Sequence, residues 1–160
     1  MRRVCIMLLA VAAVVTVVRA DLAQLDAENG TDWARLGASP SAFKNLRFVT
    51  NEQGVATCRW DAGGKTFRGA AVGETELRFE KKALVSISFR AQDGRAALQA
   101  LASAYGTPEQ ADPSVNVYTW RGESVMLTAQ PSADGSAVIA LVNIAYSKRK
   151  TANAFFNAFK

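Results

Sequence analysis

The chain contains no histidine, and that single absence removes a large part of enzyme chemistry. Histidine is the commonest general base near neutral pH and the commonest metal ligand, so Ser-His and Cys-His nucleophile pairs are excluded together. Cysteine is nearly as scarce. Of the two present, Cys5 lies in the first twenty residues and Cys58 stands alone in the rest, so no disulfide can close within the body. A zinc site without histidine or a cysteine cluster is not expected, and the Asp-rich loop that would hold calcium is missing. The reading therefore contains no catalytic residue, no metal and no cofactor.

What is present begins with an export address. Arg2 and Arg3 precede an apolar run from Val4 to Val18, and Val18-Arg19-Ala20 places small residues where a signal peptidase inspects them. The run is fifteen residues long, short of the roughly 20 that a membrane-spanning helix needs. Residues 1–20 read as a signal peptide, residues 21–147 as one α+β domain, and residues 148–160 as a basic amphipathic tail. The expected location is periplasmic or secreted.

Export changes the meaning of the charge. The formal net charge of +5 includes Arg2, Arg3 and Arg19, which leave with the leader, and no acid leaves with them. Lys148, Arg149, Lys150 and Lys160 are four of the sixteen basic residues that remain, so residues 21–147 hold twelve against fourteen acids and are slightly acidic. No basic field of the kind that binds nucleic acid is left.

Residues 21–54 are irregular, with Ser39-Pro40 marking the start of a short helix. From Val55 the sequence alternates in the manner of antiparallel strands. A turn at Asp61-Ala62-Gly63-Gly64 sets Cys58 opposite Phe67 and buries it. Thr75, Leu77 and Phe79 share a face with Val85, Ile87 and Phe89 only if an odd-numbered turn around Lys81-Lys82 joins them, which predicts local strain or a looser turn. Residues 94–105 switch to helical spacing, with Leu98, Leu101, Ala102 and Tyr105 inward, Asp93 as N-cap and Gly106 as the stop. Val115–Arg121 and Ser124–Gln130 form a hairpin about Gly122-Glu123, placing Trp120 opposite Val125 and Tyr118 opposite Leu127 on the apolar side. A central strand runs from Ser136 to Tyr146. The fold class is α+β: an antiparallel sheet of about six to seven strands, one central helix on one face, and a candidate C-terminal helix.

The segments Leu98-Gln99-Ala100-Leu101, Tyr105-Gly106-Thr107-Pro108 and Tyr118-Thr119-Trp120 together resemble a pattern found in small exported bacterial proteins of uncharacterised function. The resemblance covers roughly residues 75–146. It implies the fold and the bacterial envelope, and transfers no catalytic residue.

Three candidate surfaces follow. Strand parity puts Arg59, Arg68, Arg78, Arg90 and Arg121 on one outward face among hydroxyl side chains such as Thr57, Thr66, Ser86, Ser88 and Thr119. Such a face could take carboxylate, phosphate or an acidic partner, or could be an ordinary solvated sheet face neutralised by Glu76 and Glu80. The tail joins Lys148, Arg149 and Lys150 to a stripe of Phe155, Phe156 and Phe159, suited to a membrane surface or a partner groove, or to docking on its own domain. Carboxylate pairs drawn from Asp61, Glu76, Glu80, Glu109 and Glu123 would permit glycoside hydrolysis, although none lies in a motif. The sequence thus favours an exported non-enzymatic binding protein whose partner is a protein or envelope component. The alternatives are a carboxylate-dependent hydrolase and a membrane-surface protein docked by its tail. Oligomeric state is not written in it.

Overall fold

The computed structural model describes residues 22–112 and 116–147. The expected leader and the basic tail lie outside the described residues. The chain runs α1 (Leu22–Glu28), β1 (Arg47–Glu52), β2 (Val55–Trp60), β3 (Thr66–Phe67), β4 (Ala70–Glu80), β5 (Ala83–Ala91), α2 (Gly94–Tyr105), β6 (Glu109–Asp112), β7 (Val117–Arg121), β8 (Val125–Pro131), β9 (Ala137–Asn143) and α3 (Ile144–Ser147). The fold is α+β, with a larger sheet than the six to seven strands expected. Eight strands pair antiparallel in the order β1-β2-β4-β5-β9-β8-β7-β6, and β3 pairs only with the start of β4.

The helix expected over residues 94–105 is α2. Asp93 accepts the amide hydrogen of Ala96 at 2.9 Å, which supplies a partner to an otherwise unpaired first-turn donor, and Gly106 at φ 81° ends the helix. Its buried stripe is Ala97, Leu101 and Tyr105, with Leu98 half-buried; Ala102, expected inward, is exposed. Gly94 is required by close approach, because a Cβ there would lie 2.6 Å from the Ser136 backbone. The stripe packs on one sheet face with Leu25 of α1 and with Leu77, Phe79, Ile87, Phe89, Trp120, Leu127, Ile139 and Leu141. Burying each such side chain fully contributes about 1.5–3 kcal/mol.

Two expected registers shift for identifiable reasons. Cys58 is buried as expected but pairs with Leu77 and Phe48, not Phe67, because β2 runs beside β4 and the chain between them turns aside into β3. At the β4–β5 connection Lys81 and Lys82 form a two-residue turn with φ of 50° and 66°, the geometry of a type I′ hairpin. An odd-numbered loop is not needed, since Phe79 pairs with Leu84 and Arg78 with Ser86, leaving Val85 as the extra residue of a bulge. Val85 therefore leaves the α2 side and joins Val55, Val142 and Tyr146 in a second apolar cluster on the opposite face.

The last expected strand is central, lying between β5 and β8, but it ends at Asn143 rather than Tyr146. Asn143 Oδ1 accepts the amide hydrogen of Tyr146 at 3.3 Å and starts α3. Pro40–Ala42 is a single helical turn, capped by Ser39 as expected.

Candidate functional site

Arg59, Arg78, Arg90 and Arg121 do share one sheet face, the one opposite α2. Register carries the face across the sheet: Arg59 opposes Glu76, Glu76 opposes Ser88, Arg78 opposes Ser86, Arg90 opposes Val138, and Arg121 opposes Met126. Arg68 does not belong to it. It follows β3 at φ 52°, and its guanidinium lies 5.0 Å from the Tyr105 ring centroid on the α2 side. The expectation failed there because β3 is a two-residue strand off the main path, so parity read through it has no sheet to refer to.

The four arginines on the face are committed to different degrees. Arg78 Nε donates to Glu76 Oε1 at 2.7 Å, and the two side chains are only 16% and 13% exposed. Arg90 donates to Ser136 Oγ at 2.8 Å and pairs with Asp134 at 3.4 Å, which fastens it to the β8–β9 turn. Arg59 is more than half exposed and holds Glu74 at 3.3 Å, a contact worth at most about 1 kcal/mol in water. Arg121 is exposed, with one Nη 3.6 Å from Met126 Sδ. The available guanidinium groups are therefore Arg59 and Arg121, at opposite sides of the face.

Between them the face is closed. Ser86, Ser88, Thr119, Thr128 and Ala140 are all buried, and α3 brings Tyr146 against Val55, Val85 and Val142. The Ser86 and Thr119 hydroxyls are buried without a hydrogen-bond partner among the described residues. The face is neither the open arginine surface nor the solvated strand face that alternation suggested; it has a buried centre with charged margins.

Four ionisable groups displaced from their ordinary behaviour, Asp26, Glu28, Arg68 and Tyr105, lie on the other side, around α1. Arg68 donates to both oxygens of Glu28 and, at 2.7 Å, to the Tyr105 hydroxyl, while that hydroxyl donates to Glu28. Burial opposes the Glu28 charge, but hydrogen bonds from Tyr105, Gln24 and Arg68 outweigh it and hold the carboxyl below its usual range. Burial and the bond to Glu28 push Tyr105 up to about 12. The cluster borders a shallow cleft of about 300 Å³ shared with Gly30, Thr31, Asp32 and Arg35. It holds no nucleophile beside a free base, and each of its three charged or phenolic groups is already bonded to the other two.

Asp26 fills a second internal cradle. Its carboxylate accepts the amide hydrogens of Glu123, Ser124 and Val125 at 2.7–2.9 Å and the Ser124 hydroxyl at 2.8 Å. Burial is again outweighed by these bonds, and its pKa is lowered. The bonds also explain the hairpin register. Gly122 donates to Val125 at 2.9 Å and Arg121 pairs with Met126, so the turn centres on Glu123-Ser124 rather than Gly122-Glu123. Trp120 consequently faces Leu127 and Tyr118 faces Ala129. The two-residue shift preserves parity, and Trp120 is buried with its indole N–H donated to Gly106 O at 2.9 Å.

Of the carboxylates named for hydrolysis, Glu76 is held by Arg78, Asp61 accepts the Gly63 amide hydrogen, Glu80 is half-buried at the end of β4, and Glu109 and Glu123 are exposed on β6 and in the β7–β8 turn. Among the described residues no group of three or more Cys, Asp or Glu side chains could hold a metal ion, and no helix is long and apolar enough to cross a membrane. Lys148, Arg149, Lys150, Phe155, Phe156 and Phe159 lie outside the described residues. Alternation did not reveal one surface. β1 is an edge strand exposing Phe48 and Val49, and its Arg47 lies directly opposite Arg59. The fold and side-chain inventory define the class as an α+β protein with an antiparallel sheet. No protein-family model, curated protein or solved structure matches the chain.

Proposed function

We propose that the protein is an exported, non-enzymatic binding protein of the cell envelope, contacting a protein or an envelope component through arginines at the margins of its sheet. The observation that carries this reading is the division of labour among its charges. The acids with lowered pKa, Asp26, Glu28 and Asp134, are bound to internal donors, whereas Arg59 and Arg121 are exposed. A catalytic carboxylate needs freedom to exchange a proton with substrate. An exposed guanidinium needs only an oxyanion to meet its paired donors.

The test is crosslinking and pull-down from the envelope fraction with the wild type and with Arg59→Glu/Arg121→Glu. A partner captured by the wild type and lost in the double variant supports the reading, and unchanged capture overturns it. Turnover on a glycan panel, lost in acid-to-amide variants, would replace it with hydrolysis.

A further inference from the structure

The free edge of β1 carries its own complement. This strand pairs with β2 on one side only, and Phe48 and Val49 are 65% and 50% exposed. Its ends are Arg47 and Glu52, and neither enters an ion pair among the described residues. Edge strands are ordinarily blunted by lysine, proline, a bulge or a covering segment. Among the described residues the device present is a bulge between Phe48 and Thr50, placed at the middle of the strand where it leaves both charged ends available.

We propose that β1 pairs antiparallel with β1 of a second copy of this chain, making one continuous sheet across a twofold axis. A register centred between Val49 and Thr50 puts Arg47 opposite Glu52 of the second copy, Phe48 opposite Asn51 and Val49 opposite Thr50. Both ends of the strand then gain an opposite charge, twice over by symmetry. The pairing also relieves a conflict within each copy. Arg47 and Arg59 are directly opposed, an unfavourable cross-strand arrangement, and Glu52 of the second copy supplies the carboxylate that this row lacks at its open end. The other edge does not offer the same fit: β6 is four residues long and begins and ends on acids, Glu109 and Asp112, so self-pairing there would oppose like charges.

An edge contact of six residues buries less than a standard interface, so association belongs to the weak class. A twofold axis normal to the sheet keeps both arginine-bearing faces on the same side. Self-association is independent of whether Arg59 and Arg121 bind a partner, and it is measured without one.

Sedimentation of the purified protein from about 1 μM to about 1 mM covers the range in which weak contacts associate. The wild type is expected to pass from monomer to dimer. Arg47→Glu and Glu52→Arg, each alone, should weaken the dimer about tenfold or more, since each replaces two attractions with two repulsions. Arg47→Glu/Glu52→Arg together should return it to within about threefold of wild type, because the swapped pair is again complementary. Val49→Lys should prevent association with an unchanged melting temperature, the change falling at an exposed edge. A wild type that stays monomeric throughout, or a double variant as weak as either single one, overturns the proposal.

Discussion

The phenol of Tyr105 donates its hydrogen to the carboxylate of Glu28, joining the last turn of α2 to α1 across 77 positions of sequence. Arg68 reaches both groups, so three side chains from three parts of the chain complete one another's hydrogen bonding. Tyr105→Phe should cost about 1–2 kcal/mol, the usual effect of removing one partner from a buried bond to a charged group. Urea unfolding measures the loss. A spectrophotometric titration should also lose a phenol ionising near pH 12, the one raised by burial and by Glu28.

Acid should loosen α1. Glu28 and Asp26 both have folded-state pKa values below their ordinary ones. The unfolded chain therefore takes up protons first, and the stabilisation these groups provide is fully present above their unfolded values of about 4. It is lost as pH falls through the lower folded values. Stability measured from pH 6 down to pH 2 should decline along this limb, and Asp26→Asn/Glu28→Gln should be less stable at pH 6 with a shallower decline.

Gly122 and Asp26 should behave as a coupled pair. A Cβ on residue 122 would come within 2.5 Å of the Asp26 carboxylate oxygens, and that carboxylate is held by four hydrogen bonds. Gly122→Ala should cost about 1–2 kcal/mol in the wild type by displacing it. In an Asp26→Ala background the same change should cost less than about 0.5 kcal/mol. A double-mutant cycle in denaturant gives the coupling directly.

Lys81 and Lys82 hold the β4–β5 turn at positive φ without the residues suited to it. Replacing them by Asn-Gly should raise stability by roughly 0.5–1.5 kcal/mol, because a non-glycine residue in the left-handed region costs about 1–2 kcal/mol. Thermal melts of the paired substitution check this, and the hairpin register should be unchanged.

What was legible in the sequence were features set by local pattern. Asp93 and Gly106 bracket α2, and alternation correctly separates Leu77, Ile87 and Trp120 from Arg78, Ser88 and Arg121. What was not legible depends on contacts made far along the chain. The bulge at Val85 is invisible because a strand with one extra residue still alternates on either side of it. The β7–β8 turn moves by one residue because Asp26, nearly a hundred positions earlier, takes its amide hydrogens. β1 escapes detection because both of its apolar residues are exposed, leaving no inward period to read. Arg68 was misplaced because parity has meaning only inside a sheet.

The manner in which α1 is fastened has a consequence for the order of assembly. Its carboxylates bind groups 40, 77 and 97–99 positions later, so the anchorage of this first described helix is completed only once the β7–β8 hairpin exists. Contacts at such separations carry a high loop-closure cost and are made late. The first described helix is thus among the last elements to be fully fastened.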